Sequence, residues 1–289
     1  MSKVLVIGAT GHVGRPTMDS LVRAGADVRA GSRDPNRISA PPSVERVRFD
    51  YSVPDTFDPA LEGVDRVFVM APPGVSAPQK TLAPFLDVAT KRVQKIVLLS
   101  AAGVEADDNI PLRQIELQIE RSGVKFVHLR ANWFMDNFHS LFQQPIKKDG
   151  VLAVPAADAK TAFIDARDIG ACASACFMTD KFDNKGYTLS GIEAYSYGEA
   201  AAILSQAAGR EIRYTPVDDN TFITSLTEAG LSPSYAAMIT SLFAIVRAGH
   251  AAATSNVVEE LTGRPARTLT EYARNHAGAW RLPTPPAAS

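Results

Sequence analysis

Residues 4–16 read VLVIGATGHVGRP. Val4 to Ile7 is an apolar run of strand length, and it passes straight into Gly8, Gly11 and Gly14, spaced by threes. Residues 12–24 then carry apolar side chains at helical spacing and stop at Gly25. Strand, glycine turn and helix in that order form a phosphate cradle. The first glycine permits the tight turn, the second lets backbone approach a pyrophosphate, and the third lets the helix pack closely on the strand. Free N–H groups at the helix N-terminus then face the phosphates. A glycine turn without a ligand is the plainer alternative; the matching flanks favour nucleotide binding.

The rhythm continues outward. Strands are expected at 27–31, 44–49, 66–70, 95–100 and 125–130, with helices at 77–92 and 110–122 and a short one from about Pro54. Short β-branched runs separated by amphipathic helices predict an α/β fold with a doubly wound parallel sheet. Right-handed crossovers bring the glycine loop to the carboxyl edge of that sheet. After residue 131 the segments lengthen. Helices are expected at 167–178, 196–208, 219–229, 234–248 and 268–279, with extended pieces near 161–165, 187–190 and 211–215. The expected division is a dinucleotide-binding Rossmann core over 1–131. Residues 132–289 then form a mixed region that completes the sheet edge and builds a smaller, mostly helical lobe. The tail PTPPAAS is Pro-rich and expected to be loose.

Composition narrows the function. The chain of 289 residues has 30 Lys and Arg against 31 Asp and Glu, a net charge of −1, and no basic block. That argues against a nucleic-acid partner. No apolar run reaches the ~18 residues of a membrane span, and no signal-peptide pattern opens the chain. The reading is of a cytoplasmic protein, for which a homodimer is an allowed assembly. Cys172 and Cys176 in ACASAC would share a helix face. Two such ligands do not make a metal centre, so they read as small buried residues and no metal is expected.

The second strand ends AGSRDP. A site built for NAD carries an acid at that end to accept from the ribose. Here Ser32 and Arg33 stand there, and Asp27 lies at the strand's other end. Arg33 suits a 2′-phosphate through charge-assisted hydrogen bonds, with Ser32 as a further donor, so NADP(H) is the expected coenzyme. Asp34 is read as a cap for the next turn. Asp50, in FDYS, is either an acceptor for the adenine amino group or a turn residue. Met70, Ala71 and Pro72, and Ser100 and Ala101, close the fourth and fifth strands at the edge where ribose and nicotinamide belong.

Reductases of this build often carry a Tyr with a Lys four residues on. None of Tyr51, Tyr187, Tyr195, Tyr197, Tyr214, Tyr235 and Tyr272 does. In NIPLRQIELQIERSG, Leu112, Ile115 and Ile119 form the expected buried stripe, and Glu116 is the one mid-helix acid. Glu116 is the candidate for orienting a substrate or relaying a proton, with a solvated helix residue as the alternative. A conjugated acceptor such as a quinone needs no built-in acid, because it takes up electrons readily and water supplies the proton; hydride positioning and an aromatic-lined pocket suffice. HLRANWFMDNF at 128–138 offers that pocket: Trp133, Phe134 and Phe138 as walls, Met135 as an adaptable filler, Asn132 and Asn137 as polar anchors.

GATGHVG, Arg33, LRANWFMDNF, AFIDARDIG at 162–170, YTLSG at 187–191 and LTGRPARTLTEY at 261–272 together resemble the NmrA-like branch of atypical short-chain dehydrogenases/reductases. The resemblance runs to about residue 280. It is nearest the subgroup with type-2 NADPH:quinone oxidoreductases, triphenylmethane and azo-dye reductases, and festuclavine dehydrogenases. It implies an NADPH-binding Rossmann domain, a small C-terminal lobe and a substrate cleft between them. It also implies that Thr10, Gly11, His12 and Val13 are the pyrophosphate loop and Arg33 the phosphate anchor. Met70, Ala71, Pro72, Ser100 and Ala101 would line the coenzyme; Asn132, Trp133, Phe134 and Asn137 would face the substrate. Asp165, Arg167 and Asp168 are expected to be structural. Many relatives carry a His four residues before Glu116; Leu112 stands there in this chain. The expected activity is reduction of a quinone or similar conjugated small molecule by NADPH. The rival readings are an imine or ketone reductase of secondary metabolism and a non-catalytic NADP-sensing regulator.

Overall fold

The computed structural model describes residues 2–281, so the expectation for the tail PTPPAAS lies outside the described residues. Two compact units emerge. The first takes in the chain up to Asn132 with Ala166–Leu189 and Ser255–Pro265; the second takes in Trp133–Asp165, Ser190–Thr254 and the chain from Ala266 onward.

The strands are β1 (Lys3–Ile7), β2 (Asp27–Ser32), β3 (Glu45–Arg48), β4 (Arg66–Met70), β5 (Lys95–Ala101), β6 (Lys125–Ala131), β7 (Val151–Val154), β8 (Lys160–Thr161), β9 (Lys185–Leu189), β10 (Tyr195–Ser196) and β11 (Arg213–Pro216). The helices are α1 (Gly14–Arg23), α2 (Phe57–Leu61), α3 (Pro78–Ala89), α4 (Pro111–Ser122), α5 (Gln143–Asp149), α6 (Ala166–Met178), α7 (Tyr197–Ala208), α8 (Asp219–Glu228), α9 (Pro233–Arg247), α10 (Val257–Thr262) and α11 (Leu269–His276).

In the first unit seven parallel strands lie in the order β3-β2-β1-β4-β5-β6-β9. This is the expected doubly wound, Rossmann-type sheet. Val4, Leu5 and Val6 of β1 and Val67, Phe68 and Val69 of β4 are all buried, as strands covered on both faces require. The strand order reverses between β1 and β4, so the loops that leave their carboxyl ends part there. Ligands bind at such switch points.

Helix α1 turns Thr17, Met18 and Leu21 inward, the three- and four-residue spacing of a buried stripe. Helix α4 starts on Pro111 and stops at Gly123, whose φ of 78° is the left-handed conformation a C-terminal glycine supplies. Helix α6 is anchored by cations from the amino ends of two strands. Lys95 Nζ donates to the carbonyls of Cys176 and Thr179 at 2.9 and 2.8 Å, and Arg66 donates to the carbonyl of Phe177. Positive charge there offsets the negative end of the helix. Cys172 and Cys176 are buried free thiols on α6. Burial pushes both thiols up, which leaves them inert small side chains.

The second unit pairs β7 with β11 and β8 with β10. Its core gathers Phe138, Phe163, Tyr197, Phe243, Tyr272 and Trp280. Helices α7 and α11 each begin with a capping box, Ser196 with Glu199 and Thr268 with Glu271. Helix α5, strand β7 and helix α10 are elements that sequence reading did not anticipate. All are short, four to seven residues, too brief for hydrophobic period to register. Among the described residues, no helix is long and apolar enough to cross a membrane.

Candidate active site

The loop after β1 forms a tight cradle. Gly8 has φ of 75°, and the N–H groups of Gly8 and Ala9 both donate to Gly31 O at 3.0 and 3.2 Å. The Gly11 N–H turns back onto Gly8 O at 2.8 Å. A Cβ at Gly14 would lie 2.1 Å from Gly8 O, so the third glycine is where helix and strand backbones meet. Among the described residues, the N–H groups of Thr10, Val13 and Gly14 have no backbone acceptor. The first turn of α1 holds no acid to compete for them. Unspent donors at the N-terminus of a helix whose first turn carries no acid fit a phosphate. The side chains of Thr10 and His12 are exposed, and Val13 and Gly14 are buried.

Arg33 follows β2 and is exposed. Ser32 differs from expectation. Its buried hydroxyl donates to Asp34 O at 2.7 Å and accepts the Asp34 N–H at 3.1 Å. The turn spends that proton on itself, so the donor assigned to Ser32 is already committed. Asp34 caps the following 3₁₀ turn, accepting from Asn36 N–H at 3.1 Å, as read from the sequence. Asp50 is a turn residue. Its Oδ1 accepts from the backbone N–H and the hydroxyl of Ser52 at 2.9 and 2.7 Å. Those two bonds, helped by the charges of Arg33 and Arg48 against slight burial, hold its carboxyl below the usual range. Arg33 and Asp50 are thus brought close enough to feel each other at the ends of β2 and β3.

Met70, Ala71 and Pro72 are half-buried where β4 ends. The Met70 sulfur would lie 3.3 Å from a Cβ at Gly8, and its carbonyl accepts the Tyr51 hydroxyl at 3.1 Å. Burial pushes the Tyr51 hydroxyl well up, so that tyrosine stays protonated. Ser100 is buried and Ala101 half-buried at the end of β5, in register with Arg130 and Ala131 of β6.

Glu116 is not a solvated helix residue. It is fully buried, with Ile115 and Ile119, whereas Leu112 is only half-buried. Arg130 grips it with both arms of the guanidinium, Nε to Oε1 at 3.0 Å and Nη2 to Oε2 at 2.8 Å. Arg113 Nη1 adds a bond to Oε2 at 2.8 Å and another to Glu120 at 2.7 Å. Burial works to raise the Glu116 carboxyl, but the hydrogen bonds led by Arg130, with Arg113 beside it, outweigh it and hold the group below the ordinary carboxylate value. A carboxylate kept ionised accepts only and has no proton to deliver near neutral pH. His128 completes the cluster. Its ring stacks on Phe126 at 4.5 Å, and Nε2 lies 3.3 Å from Glu120 Oε1. Burial lowers it to about 4, so it is neutral. Glu116, Glu120 and His128 converge within 4.8 Å, yet Arg113 already sits between the two carboxylates as their counter-charge.

The Asn132 N–H donates to Leu189 O at 2.9 Å. The residues after it belong to the second unit. Trp133 and Phe134 are half-buried, held by bonds from Ile164 N–H to Trp133 O at 2.9 Å and from Met135 N–H to Ile164 O at 2.8 Å. The Trp133 ring packs on Phe243 at 4.6 Å. Asn137 is half-buried, and its carbonyl accepts from Phe142 N–H at 2.9 Å. Phe138 departs from its expected role as a wall. It is fully buried against Phe163 at 5.1 Å, and its carbonyl accepts from the Trp280 indole at 2.8 Å. Met135 is buried too. Both are core residues. Asp165 and Asp168 are buried, and Asp168 lies in the first turn of α6, where a carboxylate opposes the helix dipole.

Sequence reading missed Arg113, His128 and Arg130. For His128 and Arg130 the signal was ionisable residues inside KFVHLR, a strand otherwise apolar after Lys125; Arg113 gave none.

The family model for the NmrA-like family matches residues 1–273. The chain belongs to the NmrA-like family. Among NmrA-like relatives, Prestalk A differentiation protein A of Dictyostelium discoideum is 32% identical over 277 residues, which is 94% of this chain and 91% of that protein. The NAD(P)H azoreductase of Xenophilus azovorans is 31% identical over 283 residues, 96% of this chain and 99% of that protein. An NADPH-dependent quinone oxidoreductase from Escherichia coli, solved with NADPH, superposes with a TM-score of 0.80 at 22% identity, covering 94% of this chain and 99% of that one. That last likeness is one of fold.

Proposed function

We propose that this NmrA-like chain is an NADPH-dependent oxidoreductase that reduces a quinone or similar conjugated acceptor. The observation that carries the reading is the β1–α1 cradle of unspent N–H groups, with Arg33 where an NAD site would have an acid. The named activity of the azoreductase relative supports the same class. When bound, the coenzyme supplies hydride. Gly8 to Gly14 hold its pyrophosphate, and Arg33 holds its 2′-phosphate with charge-assisted bonds. Asp50 keeps Oδ2 for the adenine end, while Met70, Ala71, Pro72, Ser100 and Ala101 line the ribose and nicotinamide. We assign acceptor contact to Asn132, Trp133, Phe134 and Asn137. No Tyr has a Lys four residues on, and Glu116 is held ionised. The chain therefore binds and orients, and the acceptor takes its proton from water. This suits acceptors in which the incoming electron pair is delocalised.

The test is turnover. Protein, NADPH and a panel of quinones, an azo dye and cyclic imines are followed at the reduced-nicotinamide absorbance. Oxidation of NADPH with quinones is expected. Turnover confined to imines would move the assignment to imine reduction. NADPH binding without turnover on any acceptor would make the chain a sensor.

A further inference from the structure

We propose that Glu116 and Arg130 are positioning residues that fix the carboxyl end of β5, the stretch Ser100–Glu105, against which the nicotinamide half of the coenzyme is set. The inference rests on the coenzyme reading above and gives the α4 helix a role that does not involve proton transfer.

The argument begins with geometry. Arg130 is one strand over from Ser100, its register partner in the β5–β6 pair. Its guanidinium forks onto Glu116 from α4 and reaches Glu105 with Nη1 at 3.5 Å. Glu105 belongs to the 3₁₀ turn Val104–Ala106, which follows Gly103 at φ of 85°. Beyond the ion pairs, the end of β5 is tied to β6 by the bond from Ala102 N–H to Ala131 O at 3.0 Å. One guanidinium therefore links α4, β6 and the turn after β5. Its far side rests on Gly186 of β9, where a Cβ would lie 2.7 Å from Arg130 Cζ. Gly186 is exposed and has no positive φ, so its backbone does not call for glycine; the space for the guanidinium does.

The energetics point the same way. A buried ion pair of this kind is a weak source of stability, since apolar residues of similar volume do as well or better. What the arrangement supplies is direction. A bidentate fork has one geometry, and Arg113 behind Glu116 keeps the carboxylate from turning. Rigid placement of the groups around a reacting centre is worth much in rate, and a displacement near 1 Å costs about a hundredfold.

The experiment uses full-length protein and three variants. Glu116→Gln keeps size but loses charge, Arg130→Lys cannot fork, and Gly186→Ala pushes the guanidinium from β9, a strand given no coenzyme contact. NADPH affinity is measured first by fluorescence titration, and kcat, its pH profile and the isotope effect with 4-deuterated NADPH follow. Expected are a kcat lowered about ten- to a hundredfold, a dissociation constant for NADPH within about twofold of the parent, an unchanged shape of the pH profile and a larger isotope effect. Hydrogen exchange at residues 100–106 reads the same claim without turnover, and faster exchange is expected in Gly186→Ala. Unchanged kcat, isotope effect and exchange in Gly186→Ala and Glu116→Gln would overturn the proposal. So would loss of one limb of the pH profile in Glu116→Gln, which would make Glu116 a proton-transfer residue. A parent protein that binds no NADPH refutes the coenzyme reading instead, and the exchange result still decides whether the network holds the turn.

Discussion

Arg33 and Ser32 stand side by side in sequence, yet only Arg33 has free reach at the end of β2, because the Ser32 hydroxyl is closed onto Asp34. In the proposed reading, recognition of the 2′-phosphate then falls on the Arg33 guanidinium alone. Arg33→Ala is expected to weaken NADPH by about ten- to a hundredfold, the worth of hydrogen bonds to a charged group, and to leave NADH nearly as it was. Equal losses for both coenzymes, in parallel titrations, would remove Arg33 from the phosphate. The same scale shows where reading by residue type falls short. Phe138 has the chemistry of a pocket wall and the position of a core residue. Nothing in NWFMDNF distinguishes the two, because an aromatic ring has the same composition wherever the 3₁₀ turn Met135–His139 points it.

At the scale of elements, the β1–α1 junction was legible to the residue. Three glycines at that spacing leave one arrangement, in which helix backbone touches strand backbone at Gly14. Gly14→Ala would place a carbon 2.1 Å from Gly8 O. A clash with backbone cannot relax by a rotamer change, and a cost of about 3 kcal/mol or more is expected. Gly11→Ala, with 3.3 Å of room, is expected to be far milder. Thermal melts of the two variants check the difference; equal melting temperatures would show that the junction opens. Helix α4 was legible in its ends and less so in its faces. Its Leu112 is read as part of the buried stripe and Glu116 as either a substrate-side acid or a solvated residue, and the structure buries Glu116 more fully than Leu112. Helical period places apolar groups inward. It cannot anticipate an inward acid whose countercharges, Arg113 and Arg130, come from its own turn and from a strand fourteen residues on.

For the whole molecule, stability against pH carries the mark of that buried cluster. Burial lowers His128 to about 4 from its ordinary 6.5. Between those values the unfolded chain binds the proton and the folded chain does not. The contribution of a neutral, buried His128 is therefore complete above about pH 6.5 and drains away as pH falls toward 4, by an amount on the order of 3 kcal/mol. Glu116, lowered rather than raised, adds its own loss at lower pH, below the usual carboxylate value. Urea unfolding at a series of pH values is expected to show stability falling across this window. His128→Leu should flatten the fall between pH 6.5 and 4; a slope identical to that of the parent would mean His128 does not titrate as its burial requires.

From the order of residues alone came the parallel sheet, the glycine cradle, an arginine in place of an acid at the end of β2 and the lack of a Tyr-Lys pair. Each is local, written in a period, a spacing or a neighbouring residue. Burial and partnership came only with the tertiary structure: Ser32 closed on its own turn, Phe138 in a core, and Glu116 an ionised anchor gripped by Arg130 over Gly186. These depend on which distant groups meet once the chain is packed. Whether a carboxyl is a proton donor or a fixed charge is set by the dielectric and the charges around it, and no stretch of sequence contains those.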